Sequence, residues 1–96
     1  MFAIAFDLVV ADTIKFHPSR NATTAYNDIR NLLGQHGFTW RQGSLYTTDD
    51  DDMARLFAAI MALKSLPWFP LSVRDIRAFR VEQWSDFTAI IKGPTG

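Results

Sequence analysis

An α+β fold, with two helices against one face of a small antiparallel sheet, is predicted for this 96-residue chain by three observations. The opening segment "FAIAFDLVV" alternates between a row of large apolar side chains and a row of small ones. Two stretches with apolar residues at helical spacing follow, each with its own stop signal. Short β-prone runs lie between and after them, broken by Gly43 or preceded by Pro67 and Pro70.

The first strand is expected from Phe2 to Val10. Successive side chains in a strand point to opposite faces, so Phe2, Ile4, Phe6, Leu8 and Val10 should meet the helices. Ala3, Ala5, Asp7 and Val9 would form the other face. A helix is expected from Asn21 to His36, on the spacing of Ala22, Ala25, Tyr26, Ile29, Leu32 and Leu33, with Gly37 as its stop. "FTWRQGSLYTT" reads as extended, with Gly43 marking a bulge or bend that divides it into two short strands. A second helix should run from Asp50 to Leu66, burying Met53, Leu56, Phe57, Ile60, Met61 and Leu63 and ended by Pro67.

The last strand is expected from Ser72 to Glu82, and a short helix capped by Ser85 should reach Lys92. Strand, helix, one or two strands, helix, strand is the order of a split βαβ pair, the ferredoxin-like arrangement. It makes residues 1–92 one domain and leaves the "GPTG" tail, 93–96, frayed. The first strand is then central and one sheet face is open. Small apolar residues on that face predict a second layer close by, most simply a homodimer that presses two open faces together, with each Asp7 near its axis.

Composition narrows the functional classes. Ten basic and ten acidic side chains give zero net charge, which argues against gripping nucleic acid by bulk charge but leaves room for a local basic patch. The chain has no cysteine, so disulfides, Cys-ligated metals and thiol nucleophiles drop out. No apolar run approaches the roughly 20 residues of a membrane helix, and the first segment lacks a basic leader, so a soluble cytoplasmic protein without a membrane partner is expected.

Few residues could carry chemistry. Asp7 lies within an apolar strand, where a carboxylate must be solvated, paired or hydrogen-bonded. It is either the ion-pair partner of Arg74 or Arg77, or a general base or metal ligand in a dimer cleft. The run Asp49 to Asp52 precedes a helix and lacks the calcium-loop glycine and distal glutamate, so it reads as capping, with Thr48 and Asp51 resembling a capping box. His17 and His36 flank the first helix nineteen positions apart, about 20 Å or more along it, so they cannot converge on one site within a subunit. Ser44 has no evident histidine partner for a triad, but its hydroxyl could bind a phosphate oxygen. Arg41, Arg74, Arg77 and Arg80 are the candidate phosphate contacts, because a guanidinium binds phosphate bidentately. Their alternative role is pairing with Asp75, Glu82 and Asp86.

"FAIAFDLVV", "QGSLYT" and "SVRDIRAFRVEQWSDFT" together resemble the virulence-associated protein D (VapD) family, and the similarity covers nearly the whole chain. The resemblance implies a dimeric ferredoxin-like endoribonuclease, similar to small CRISPR-associated nucleases, with some members acting as toxins held by a small antitoxin protein. It places catalysis on Asp7, Ser44 and Asp75 and makes RNA the substrate. No cofactor is certain; Mg²⁺ at Asp7 is the open choice. The alternative class is a non-catalytic dimeric module that binds a protein or nucleic acid.

Overall fold

The computed structural model describes residues 1–93; the rest of the expected frayed tail lies outside the described residues. A four-stranded antiparallel sheet of order β2-β3-β1-β4 is built from β1 (Phe2–Leu8), β2 (Thr39–Gln42), β3 (Leu45–Thr48) and β4 (Val73–Arg80). The helices are α1 (Val10–Phe16), α2 (Ala22–Gln35), α3 (Met53–Ser65), α4 (Phe69–Ser72) and α5 (Thr88–Lys92). Strand β1 is central, between β3 and β4, and the topology is that of the split βαβ pair.

The large row of β1 does enter the core. Phe2, Ile4, Phe6 and Leu8 are buried in one cluster with Ala25, Ile29 and Leu33 of α2 and Leu56, Ala59 and Leu63 of α3. Removing this apolar surface from water is the main favourable term of the fold. Tyr46 of β3 is buried in the same cluster and stacks on Phe6, their ring centres 6.1 Å apart. Burial pushes the Tyr46 hydroxyl above its ordinary pKa, with Arg30 opposing more weakly. The native state therefore holds this proton more tightly than the unfolded chain, so its contribution is complete below about pH 10. Melting temperature is expected to fall as pH rises beyond that value, and Tyr46→Phe should flatten the decline.

Several boundaries differ from expectation. β1 ends at Leu8, and Val10 opens α1 instead of continuing the strand inward. Three β-branched residues, Val10, Thr13 and Ile14, disguise this seven-residue helix. Thr13 is buried and returns its hydroxyl to the Val9 carbonyl (2.9 Å). The α2 stop is as expected: Gly37 follows the C-cap with φ +82°, a conformation few other residues adopt. Gly43, at φ +50°, forms the turn that separates β2 from β3.

Helix α3 starts at Met53, capped by the Asp52 carboxylate, which accepts from the Ala54 N–H (2.9 Å). Thr48 instead accepts from the Asp50 N–H (3.2 Å) and Asp51 takes no part in a capping box. The buried stripe of α3 is Leu56, Ala59 and Leu63, whereas Met53, Phe57 and Met61 face outward. The single turn α4, with Pro70 at its start, precedes β4, and Ser72 closes it by donating to the Trp68 carbonyl (2.7 Å). At α5 the first N–H, that of Thr88, is held by Asp86 (2.8 Å), and Ser85 accepts from Gln83 instead of capping.

The face without α2 and α3 is only partly open. Ala3 and its cross-strand neighbour Thr47 are buried within the protomer. The segment after β4 brings Trp84 to the Arg41 guanidinium of β2, 5.5 Å from the ring centre. Val9, as the N-cap of α1, has left the sheet.

Candidate active site

Strand β4 explains its own mixed sequence. It lies at the sheet edge, so both faces reach water and charges are tolerated on either. Arginines there also discourage edge-to-edge pairing with other chains.

The register sets Asp7 of β1 directly opposite Asp75 of β4. Side chains of directly opposed residues share a face, with Cβ atoms about 5 Å apart. Phe6 and Leu8 point to the core, so the two carboxylates stand on the helix-free face. Two like charges so close repel, and each has an arginine partner. Arg74 Nη1 donates to Asp7 Oδ2 (3.2 Å) and Arg77 Nε donates to Asp75 Oδ2 (2.9 Å). The bond to Asp75 holds the Arg77 guanidinium more firmly protonated than usual.

Both carboxylates are open to solvent, Asp7 at 58% and Asp75 at 51%. Exposed pairs of this kind contribute little to stability. They border a depression of about 190 Å³ lined by Ala5, Phe6, Asp7, Asp75, Arg77 and Phe79. Ser44 lies at this end too: its carbonyl accepts from the Phe6 N–H (3.2 Å), next to Asp7 in β1.

The structure thus gathers Asp7, Asp75, Arg74 and Arg77, with the Ser44 backbone at the same end of β1 but outside the lining of the depression. Two candidates lie elsewhere. Arg80 is paired in register with Phe2, at the opposite end of β1, near Asp51 (3.7 Å). Arg41 is engaged by the Thr47 hydroxyl and Trp84 on β2.

One cluster was not foreseen. His17 is buried at the end of α1, its Nε2 2.7 Å from Asp28 Oδ2 and its Nδ1 2.9 Å from Ser19 Oγ. The composition is that of a Ser–His–Asp triad. However, Nδ1 also accepts from the Ser19 N–H (3.1 Å), and the ring packs edge-on against Trp68. The cluster joins α1 to α2 and closes a loop. "HPS" in the sequence was its only local signal, and the decisive partner, Asp28, comes from another helix.

No protein-family model matches the chain. Among known proteins, an endoribonuclease VapD homolog of Neisseria gonorrhoeae is 63% identical over 92 residues, which span 96% of this chain and 99% of the relative. The chain belongs to the VapD family. Endoribonuclease VapD of Haemophilus influenzae is 56% identical over 92 residues, with 96% and 99% covered. Endoribonuclease VapD of Helicobacter pylori is 44% identical over 94 residues, again with 96% and 99% covered. The family read from the three sequence motifs is therefore the right one, and the match to VapD runs through every element of the sheet. No helix of the described residues is long and apolar enough to cross a membrane.

Proposed function

We propose that this chain is an endoribonuclease that cuts single-stranded RNA, mRNA included, at the Asp7–Asp75 end of its sheet. The observation that carries this reading is the facing of two solvent-open carboxylates, each beside an arginine, across β1 and β4. The names borne by near relatives support it.

Asp7 takes the proton of a ribose 2′-hydroxyl as general base. The 2′ oxygen attacks the adjacent phosphorus, the bond to the 5′ oxygen breaks, and the leaving oxygen takes a proton from water. Asp75 orients Arg77, and Arg74 and Arg77 balance the negative charge that grows on the phosphate oxygens. Ser44 binds one of those oxygens. The products are a 2′,3′-cyclic phosphate and a 5′-hydroxyl.

Mg²⁺ fits the donors here, since it is commonly held by one or two carboxylates together with water and substrate phosphate. Asp7 and Asp75 would hold it, and it would polarise the phosphate. Among the described residues no group of three or more potential ligands gathers, so a cage made by protein alone is not available.

Two copies meeting through their helix-free faces would enclose the depression in a cleft, with Ala5 and Phe79 at the contact. On the family resemblance, such a dimer acts as the toxin of a toxin–antitoxin pair, checked by a small antitoxin protein. A second reading has its own support: each site carboxylate already has a partner, as in a non-catalytic module held by ion pairs.

The test is end-labelled single-stranded RNA incubated with the purified protein, with and without EDTA, followed by analysis of the product termini. Cyclic phosphate ends made in EDTA by wild type but not by Asp7→Asn would establish the carboxylate mechanism. Cleavage lost in EDTA and restored by Mg²⁺ would establish a metal requirement, and its loss in Asp7→Asn and Asp75→Asn would assign the metal to those carboxylates. Intact RNA throughout would favour the module.

A further inference from the structure

The arginines of this protein fall into two kinds. On β4, Arg74, Arg77 and Arg80 each pair with an aspartate, as does Arg55 of α3. Arg30 of α2 makes no ion pair among the described residues. Its guanidinium lies instead over the Trp40 ring of β2, 4.8 Å from the ring centre, and Trp40 is still 42% exposed. The Trp40 indole N–H donates to the Gly43 carbonyl (2.8 Å), which fixes the ring from the side of the β2–β3 turn. The free edge of β2 therefore carries a cation without a counter-charge beside a fixed, open aromatic plane.

We infer that Arg30 and Trp40 form a binding subsite for single-stranded RNA, in which an unpaired base stacks on the indole–guanidinium pair and Arg30 meets the adjoining phosphate. The chemistry of the pair selects this ligand. Bases of a single strand are free to stack on aromatic rings and on guanidinium planes, whereas those of a duplex are stacked on one another. An acidic peptide would satisfy Arg30 but leave the plane of Trp40 unused. The inference extends the nuclease reading, from which it takes RNA as the ligand.

The fold sets this subsite near the Asp7–Asp75 depression but not in it. Trp40 pairs with Tyr46, and Tyr46 with Ile4, so Trp40 is two strands across from β1 and three residues short of Asp7. With strands about 4.8 Å apart and a rise of about 3.3 Å per residue, each offset is about 10 Å. The β2–β3 turn lies between them: the Ser44 carbonyl binds the Phe6 N–H, and the Gly43 carbonyl holds Trp40. Tyr46 and Ile4 belong to the core, so Trp40 stands on the helical side of the sheet and Asp7 on the other. RNA leaving the carboxylates reaches the ring by crossing this turn. Pairing of two helix-free faces would leave the subsite uncovered.

Fluorescence anisotropy of an end-labelled, unstructured RNA oligonucleotide tests it. The protein titrated is Asp7→Asn, which keeps the RNA intact, alone and combined with Trp40→Ala, Trp40→Phe, Arg30→Gln or Trp84→Ala. Arg30 and Trp40 are exposed, so the fold should survive these changes, and circular dichroism verifies it. Trp40→Ala should weaken binding about tenfold, the scale of one lost base stack, with its salt dependence unchanged. Trp40→Phe should restore most of that loss. Arg30→Gln should reduce the slope of log affinity against log salt by about 0.7, the effect of one phosphate contact on a single strand. Cleavage plays no part in the readout, so failure of the nuclease reading in its own test would not decide this one. Absence of RNA binding by the folded Asp7→Asn protein, or equal affinity with and without Trp40→Ala, would overturn the proposal. So would equal affinity for a duplex of the same sequence, or a loss confined to Trp84→Ala, which would move the contact to the helix-free face.

Discussion

Asp7→Asn is expected to lower RNA cleavage by about 10²-fold or more, the usual scale for removing a general base, while the melting curve barely moves. The two halves of this prediction have separate causes. Asn has nearly the shape of Asp and preserves a polar partner for Arg74, but it cannot take a proton from a 2′-hydroxyl at neutral pH. Stability is insensitive because Asp7 is exposed and its pair with Arg74 is solvated. Its removal also relieves repulsion with the directly opposed Asp75. The net change should lie within about 0.5 kcal/mol, as for other surface substitutions. Measured together, cleavage rate and thermal melting separate a catalytic Asp7 from a structural one. An Asn variant that melts early yet cuts as fast as wild type would identify Asp7 as a structural residue and move the chemistry elsewhere.

Ile4→Ala should have the largest effect on folding. Ile4 has no exposed surface and sits on the central strand among Phe2, Phe6 and Ile29. Its neighbours in β3 and β4 are fixed by backbone pairing on both sides, so the space left by three carbons cannot collapse readily. Truncations of this kind cost about 2–5 kcal/mol, a large part of the roughly 5–15 kcal/mol of a typical domain. For a chain of this size each kcal/mol lowers the melting temperature by about 4–8 °C. Ile4→Val should cost only about 0.5–1.5 kcal/mol. Ile14→Ala, on the exposed side of α1, is the control and should melt like wild type. A fall in Ile4→Ala no greater than in that control would show that β1 is not the centre of the core.

The architecture was legible because the strongest signals were long and redundant. Ile29 and Leu33 repeat at helical spacing ahead of Gly37, and Phe2 to Leu8 alternate without interruption. The short helices were not legible. α1 has seven residues and α4 four, too few for a period to declare itself, and both are held by contacts with distant elements. α3 misled for the opposite reason: it has more apolar residues than its core face can use, so periodicity alone could not separate Leu56 and Leu63 from Phe57 and Met61.

At the site, sequence could nominate Asp7, Ser44 and Asp75 through the family motifs. It could not foresee that Asp7 and Asp75 face each other, since that depends on strand register. Nor could it separate Arg74 and Arg77 from Arg80, which lies at the other end of the same sheet.

The pairing of β1 with β4 also bears on when the protein could act. Asp7 is synthesised early, yet its Arg74 partner lies 67 positions later. Closing so long a loop is slow relative to forming local helices. A chain still emerging from the ribosome would carry Asp7 without Arg74, Asp75 or Arg77, leaving the site with one strand of its frame. On the proposed site, the nascent polypeptide would be inert toward its own messenger, and activity would begin only when the last strand is released and docks.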